Sequence, residues 1–140
     1  MGFRVGLHTG GAYPGRLARI LPLVDWVGFD IKTSFADYAR ITGARGSGEG
    51  ARASARMLAA SGVAHEFRTT VHPRQHTPKG LERLAGELAA AGVRRYVLQE
   101  FRALGCADDA LRTDVPPSFL TDAYCARIAP KFESFTLRRA

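Results

Sequence analysis

The run Trp26-Val-Gly-Phe-Asp-Ile-Lys32 ends an apolar segment with an acid and a base two residues apart, Asp30 and Lys32. Alternate residues of a strand face the same way, so Gly28, Asp30 and Lys32 share one side. Val24, Val27, Phe29 and Ile31 around them predict a strand buried on both sides in a parallel sheet. Ligands of such sheets gather beyond the C-terminal strand ends. Other candidate strand ends add polar groups: Thr9 with Gly10-Gly11, then Arg68, Thr70 and His72, then Gln99 and Arg102. Lys32, Arg68 and Arg102 around Asp30 would suit a ligand carrying a carboxylate and a ribose. The same residues could instead form an internal ion-pair network, Asp30 with Lys32 or Arg68, that holds the strands in register.

Other chemistries find less support. His72 and His76 have i,i+4 spacing but flank Pro73, and no acid or cysteine completes a metal shell beside them. Cys106 and Cys125 stand far apart, which makes neither a metal pair nor a disulfide framework and fits a reducing compartment. A Gly-x-Ser-x-Gly nucleophile motif is absent. The formal net charge is +7, carried by 17 Arg and 3 Lys spread along the expected helices. Without a nucleic-acid-binding motif that spread does not define a phosphate-binding surface. No apolar run is long enough to span a bilayer and the N-terminus lacks a signal-like core, so a cytoplasmic protein is expected.

The elements that must position these residues follow from periodicity and breakers, and the length of 140 residues allows one domain. Phe3 to Thr9 predicts a first strand, and Pro14 opens a helix that Pro22 ends. The central strand runs from Leu23 to Ile31, followed by a short helix from Ser34 to Ile41. Gly43 to Gly50 reads as a mobile glycine-rich linker, since it lacks the Gly-Lys-Ser/Thr ending of a phosphate loop. A helix from Ala51 to Ser61 is expected to end on Gly62 in the left-handed conformation. The third strand is Glu66 to Val71, a helix opens at Thr77-Pro78 and is capped by Gly92, and the fourth strand is Arg95 to Phe101. Leu58-Ala-Ala-Ser-Gly-Val63 and Leu88-Ala-Ala-Ala-Gly-Val93 repeat at a spacing of 30 residues, the βα unit of a parallel sheet. Four such strands give a half-barrel or small open sheet, with a terminal helix from Leu120 to Ile128 and an extended tail from Phe132 to Leu137.

Taken together, several motifs resemble the second half of a radical S-adenosylmethionine protein. They are Gly6-Leu-His-Thr-Gly-Gly-Ala-Tyr-Pro14, Val24-Asp-Trp-Val-Gly-Phe-Asp-Ile-Lys32, Tyr38-Ala-Arg-Ile-Thr-Gly43, Glu66-Phe-Arg-Thr-Thr-Val71, His76-Thr77, Tyr96-Val-Leu-Gln-Glu-Phe-Arg102 and the Phe132-Glu-Ser-Phe-Thr-Leu-Arg138 ending. The pattern is most similar to the activating proteins of anaerobic ribonucleoside-triphosphate reductase, and more distantly to pyruvate formate-lyase activating enzymes. The resemblance covers nearly the whole chain. It implies an α/β fold, about four parallel strands of a partial (β/α)6 barrel, with S-adenosylmethionine and a 4Fe-4S cluster as cofactors. In that family a 5′-deoxyadenosyl radical abstracts hydrogen from a glycine of a partner enzyme.

By the same resemblance, Asp30 and Lys32 match a strand end near the methionyl carboxylate, Thr9 and Gly10 match the preceding strand end, and Arg68 and Arg102 match positions facing the cofactor. His8 stands where the pyruvate formate-lyase activators carry an Asp. The Cys-x3-Cys-x2-Cys cluster motif of the first half is missing from the sequence, and two cysteines cannot supply the thiolates of one cluster. Residues 1–140 therefore read as a C-terminal half-barrel, inactive alone, whose cluster-bearing N-terminal half-barrel would be another chain and whose target would be a glycyl radical enzyme. A non-catalytic scaffold, self-associating through an exposed sheet edge, is the alternative. A small phosphate-binding enzyme using the Gly10-Gly11 turn is a third reading.

Overall fold

A strand, a helix that returns over the sheet and a second parallel strand form a unit of fixed hand, so consecutive units stack their helices on one face. The computed structural model describes residues 2–140, and within them this unit recurs along the chain. The strands are β1 (Gly6–Thr9), β2 (Trp26–Asp30), β3 (Ala64–Val71), β4 (Arg95–Glu100) and β5 (Ser134–Arg138). They form one sheet in chain order, and every pairing is parallel. The helices are α1 (Pro14–Ile20), α2 (Tyr38–Thr42), α3 (Ser47–Ala60), α4 (Pro78–Ala90), α5 (Asp109–Arg112) and α6 (Asp122–Ile128).

Alternation along the strands separates two faces. In β3, Phe67, Thr69 and Val71 are buried while Arg68 and Thr70 are not. Val27, Phe29, Phe67, Tyr96 and Leu98 pack with Leu58 of α3, Leu81, Leu84 and Leu88 of α4, and Ile128 of α6 in one core. Phe29 and Phe67 meet across neighbouring strands with ring centroids 5.1 Å apart.

Several expectations change. The tail is a fifth parallel strand, because Ser-Phe-Thr-Leu-Arg sets Phe135 and Leu137 inward and pairs residue by residue with β4. The first strand is short, starting at Gly6 rather than Phe3, and the central strand is trimmed to Trp26–Asp30. Nor is the glycine-rich stretch a linker. Gly43 (φ 70°) ends α2, Gly46 (φ 75°) precedes α3, and α3 has begun by Ser47. Gly48 lies against the chain so closely that a Cβ there would sit 2.0 Å from the Phe35 carbonyl oxygen. The glycines therefore serve turning and close approach.

The 30-residue repeat is real at Leu58 and Leu88, both fully buried at matching helix ends, but its two caps differ. After α4, Gly92 is left-handed (φ 90°), and Val93 N–H reaches back to the Leu88 carbonyl. After α3, Gly62 is not left-handed. Ser61 is extended, and its hydroxyl donates to the Leu58 carbonyl and accepts from Val63 N–H. A serine side chain has taken over the role expected of the glycine.

Candidate functional site

The C-terminal strand ends and the loops after them enclose two adjoining cavities. One, of about 370 Å³, is lined by Asp30, Lys32, Arg68, Thr70, His72 and Gln99 among others. The second, of about 510 Å³, is lined by Arg102, Cys106, Arg138 and Arg139. Thr70, Gln99 and Phe101 belong to both walls, with Lys32 lining the first cavity and Arg102 the second.

Asp30 and Arg68 are opposite each other in the β2–β3 register, and Arg68 Nε donates to Asp30 Oδ1 at 2.9 Å. The guanidinium also donates to His8 Nδ1 at 3.0 Å, so that ring nitrogen carries the lone pair. This is the ion-pair network foreseen as the structural alternative, formed through Arg68 and without Lys32. Among the described residues Lys32 joins no ion pair, yet its backbone is held at both ends. Its N–H donates to Tyr38 Oη (2.9 Å), and its carbonyl accepts from His76 Nε2 (2.7 Å). Burial pushes the Tyr38 phenol up to about 12, which keeps it a neutral acceptor for that N–H.

The two histidines complete a relay between loops. His72 N–H donates to His76 Nδ1 at 3.1 Å, and Arg74 N–H donates to His72 Nδ1 at 3.0 Å. His72 Nε2 then donates to the Leu111 carbonyl at 2.8 Å. Each ring nitrogen is committed to a protein group, which leaves no lone pair for a metal. Arg102 donates to the Arg139 carbonyl at 3.1 Å. Thr9 and Gly10 stand apart from both cavities. Thr9 Oγ1 accepts from Gly11 N–H at 3.0 Å, and a Cβ on Gly10 would merely touch the Asp30 carbonyl. Gly11 (φ 65°) is the constrained glycine, since a Cβ there would overlap Phe29 and Ser54. The turn thus serves packing.

Glu66 and Arg138, not singled out as site residues from sequence, help complete the open side of the sheet. Arg138 of β5 chelates Glu66 of β3 through two bonds of 3.0 and 3.1 Å, passing over Val97 of β4. Gln99 donates to Thr70 Oγ1 at 2.7 Å. The alternation in Ser134-Phe-Thr-Leu-Arg138 was the available signal for Arg138, because a strand there must aim it at the same face as Glu66. Behind the second cavity the Ala140 backbone N–H, ahead of the Ser118 and Arg139 side chains, holds the Glu100 carboxylate below its ordinary range.

S-adenosylmethionine, which the sequence resemblance implies, would find a Lys32 ammonium outside any ion pair for its carboxylate and the Thr70, Gln99 and Arg102 groups for polar contacts. A 4Fe-4S cluster would find no set of ligands among the described residues. Cys125 is buried, with burial pushing its thiol up, and Cys106 lies in the loop after β4. No group of three or more His, Cys, Asp or Glu is placed to hold a metal among the described residues. No helix there is long and apolar enough to cross a membrane.

No family model matches the chain, and no curated protein matches it. Among solved structures, a domain of pyruvate-formate lyase-activating enzyme from Bacteroides vulgatus ATCC 8482 is similar, with a TM-score of 0.67 at 11% identity. The match covers 97% of this chain and 81% of that one. At that identity the likeness shows the fold alone, an open parallel α/β sheet of the partial-barrel type.

Proposed function

We propose that this chain is the C-terminal half-barrel of a radical S-adenosylmethionine activase, of the kind that activates anaerobic ribonucleotide reductase. In this reading Asp30, Lys32, Arg68 and Arg102 form its share of the S-adenosylmethionine site, and Thr9 and Gly10, which stand apart from both cavities, take no part in it. The 4Fe-4S cluster and its cysteines come from an N-terminal half-barrel that residues 1–140 do not include, and the target is a glycyl radical enzyme. The observation that carries the reading is the pair of adjoining cavities at the strand ends, in a fold similar to that of a pyruvate-formate lyase-activating enzyme domain, with Lys32 fixed by its backbone and free at its ammonium. The cofactor's chemistry is supplied when both halves meet. This chain's residues contribute binding and orientation: Lys32 takes the carboxylate, and the Asp30–Arg68 pair keeps β2 and β3 aligned beneath it.

Calorimetric titration of the chain with S-adenosylmethionine tests this. Half a site should bind with a Kd of about 1 mM, worth about 4 kcal/mol, and Lys32→Ala should abolish detectable heat without moving the unfolding midpoint. Absence of binding both to the chain alone and to the chain co-expressed anaerobically with a cysteine-bearing half would overturn the proposal. A second reading, a non-catalytic scaffold, draws on a specific observation. Asp30, Arg68, Glu66 and Arg138 already satisfy one another, and binding that is indifferent to Lys32 would favour it.

A further inference from the structure

We propose that the gap between α2 and the start of α4 binds a small oxyanion of the phosphate class, free or at the end of a small ester. The cavity there has a volume of about 160 Å³. That is space for about five waters, and well under the roughly 300 Å³ at which pockets for larger ligands begin. It shares Gln75 and His76 with the Lys32 cavity, but neither Lys32 nor Arg102 lines it. Its walls come from three segments: Thr33 beyond β2, Asp37 and Arg40 around the start of α2, and Thr77, Lys79 and Arg83 at the start of α4.

The first observation is a hydroxyl without a partner. Thr33 is only 4% exposed, yet its side chain makes no hydrogen bond among the described residues. Every fully enclosed side-chain oxygen and nitrogen described has a partner, so Thr33 Oγ1 is not sealed in. It opens on the cavity that its residue lines. A hydroxyl so deep in a protein ordinarily finds a protein acceptor or donor. Ser34, the next residue and also buried, shows that outcome: it donates to Asp37 and accepts from Arg83.

The second observation is positive charge without an answer. Lys79 and Arg83 stand one turn apart on α4, a spacing at which like charges repel. Both belong to the first turns of a 13-residue helix whose N-terminus is itself positive and whose first turn holds no acid. Glu82 is turned away to Arg127. Arg40 adds a third cation, and Asp37, the one carboxylate in the lining, is taken by Arg83. Arg40 and Arg83 use only Nη2 on protein acceptors, which anchors each guanidinium while Nε and Nη1 stay open. Lys79 joins no ion pair among the described residues. Its backbone N–H has no acceptor either, because the Thr77 hydroxyl and carbonyl are used by Gly80 and Leu81. A hydroxyl, an ammonium, two guanidiniums and a helix N–H from separate walls are the donors that hold an oxyanion at a helix start. Three cations against one carboxylate suit a dianion. A carboxylate ligand, singly charged, would leave one cation unanswered.

The test is calorimetric titration of the chain with inorganic phosphate and, separately, with methyl phosphate, at an ionic strength held constant with sodium chloride. Saturable one-site binding of at least one of them is expected, and the tighter of the two identifies the source as free phosphate or an ester. Thr33→Val keeps the side-chain shape and removes the hydroxyl. It should weaken binding about tenfold without lowering the thermal unfolding midpoint. Lys79→Gln should weaken binding about tenfold as well and, in phosphate-free buffer, raise the midpoint by relieving repulsion. Arg95→Gln/Lys131→Gln, which removes two cations elsewhere on the chain, should leave the affinity unchanged. Unfolding curves confirm that each variant is folded. Absence of saturable binding by both probes, equal affinity for acetate, indifference to Thr33→Val or to Lys79→Gln, a midpoint that falls in Lys79→Gln, or an equal loss in the control pair each overturns the proposal.

Discussion

Phe67 and Glu66 are neighbours in β3, yet they inhabit opposite worlds. Phe67 is fully buried beneath the helices, packed on Phe29 and edge-on to the His65 ring. Glu66 lies on the uncovered face, chelated by an arginine two strands away. The covered face is held by exclusion of water, the open one by pairs that bridge strands: Arg68 with Asp30 and His8, Arg138 with Glu66, Gln99 with Thr70. Val97 shows what the second strategy achieves. It belongs to the open face, and with Glu66 and Arg138 clasped across it only 4% of its surface is exposed. A sheet face without helices can therefore remain ordered in water by roofing its few apolar residues with ion pairs.

Three measurements break or sharpen this contrast. Phe67→Ala should lower the urea-unfolding free energy by about 3–5 kcal/mol, through lost transfer energy and the cavity left behind. Glu66→Gln, one residue away, should cost less than about 1 kcal/mol, since Arg138 is half exposed and such pairs are largely offset by hydration. An equal loss in the two variants would mean that the open face is a second core. The smallest effect concerns acid. Glu100 is held below its ordinary range in the folded chain, so its contribution is present at neutral pH and fades as pH falls through and below that range. The stability difference between the wild type and Glu100→Gln should accordingly shrink on acidification. A difference that grew would reverse the sign assigned to the Ala140 contact.

The two faces also differed in legibility. Leu81, Leu84 and Leu88 announce a helix face, and Val27 and Phe29 a buried strand, because apolar spacing reports burial directly. The polar face is written in single residues whose partners depend on register. Asp30 could be matched to Lys32 or Arg68 from sequence, and only the β2–β3 pairing selects Arg68. Arg138 was hidden because a five-residue strand at the chain's end looks like any extended tail. Gly43 to Gly50 misled for a different reason. Glycine composition suggests freedom, whereas Gly48 is there so that α3 can touch the Phe35 backbone. The lining at Lys32 and Arg102 was reachable from strand-end logic. The clamp on Lys32 by Tyr38 and His76 was not, since it joins residues 6 and 44 positions away.

That clamp has a kinetic corollary. Lys32 is a flexible arm on a fixed pivot: the post is pinned at both its donor and its acceptor, and only the methylene stem moves. Rotamer changes of an exposed stem take picoseconds to nanoseconds, so capture of an anion within its sweep requires no loop to open first. The entropic toll is limited to the stem, about 1.5–2 kcal/mol at most. Arrival of the ligand, rather than rearrangement of the protein, should then set the rate at which this ammonium finds its partner.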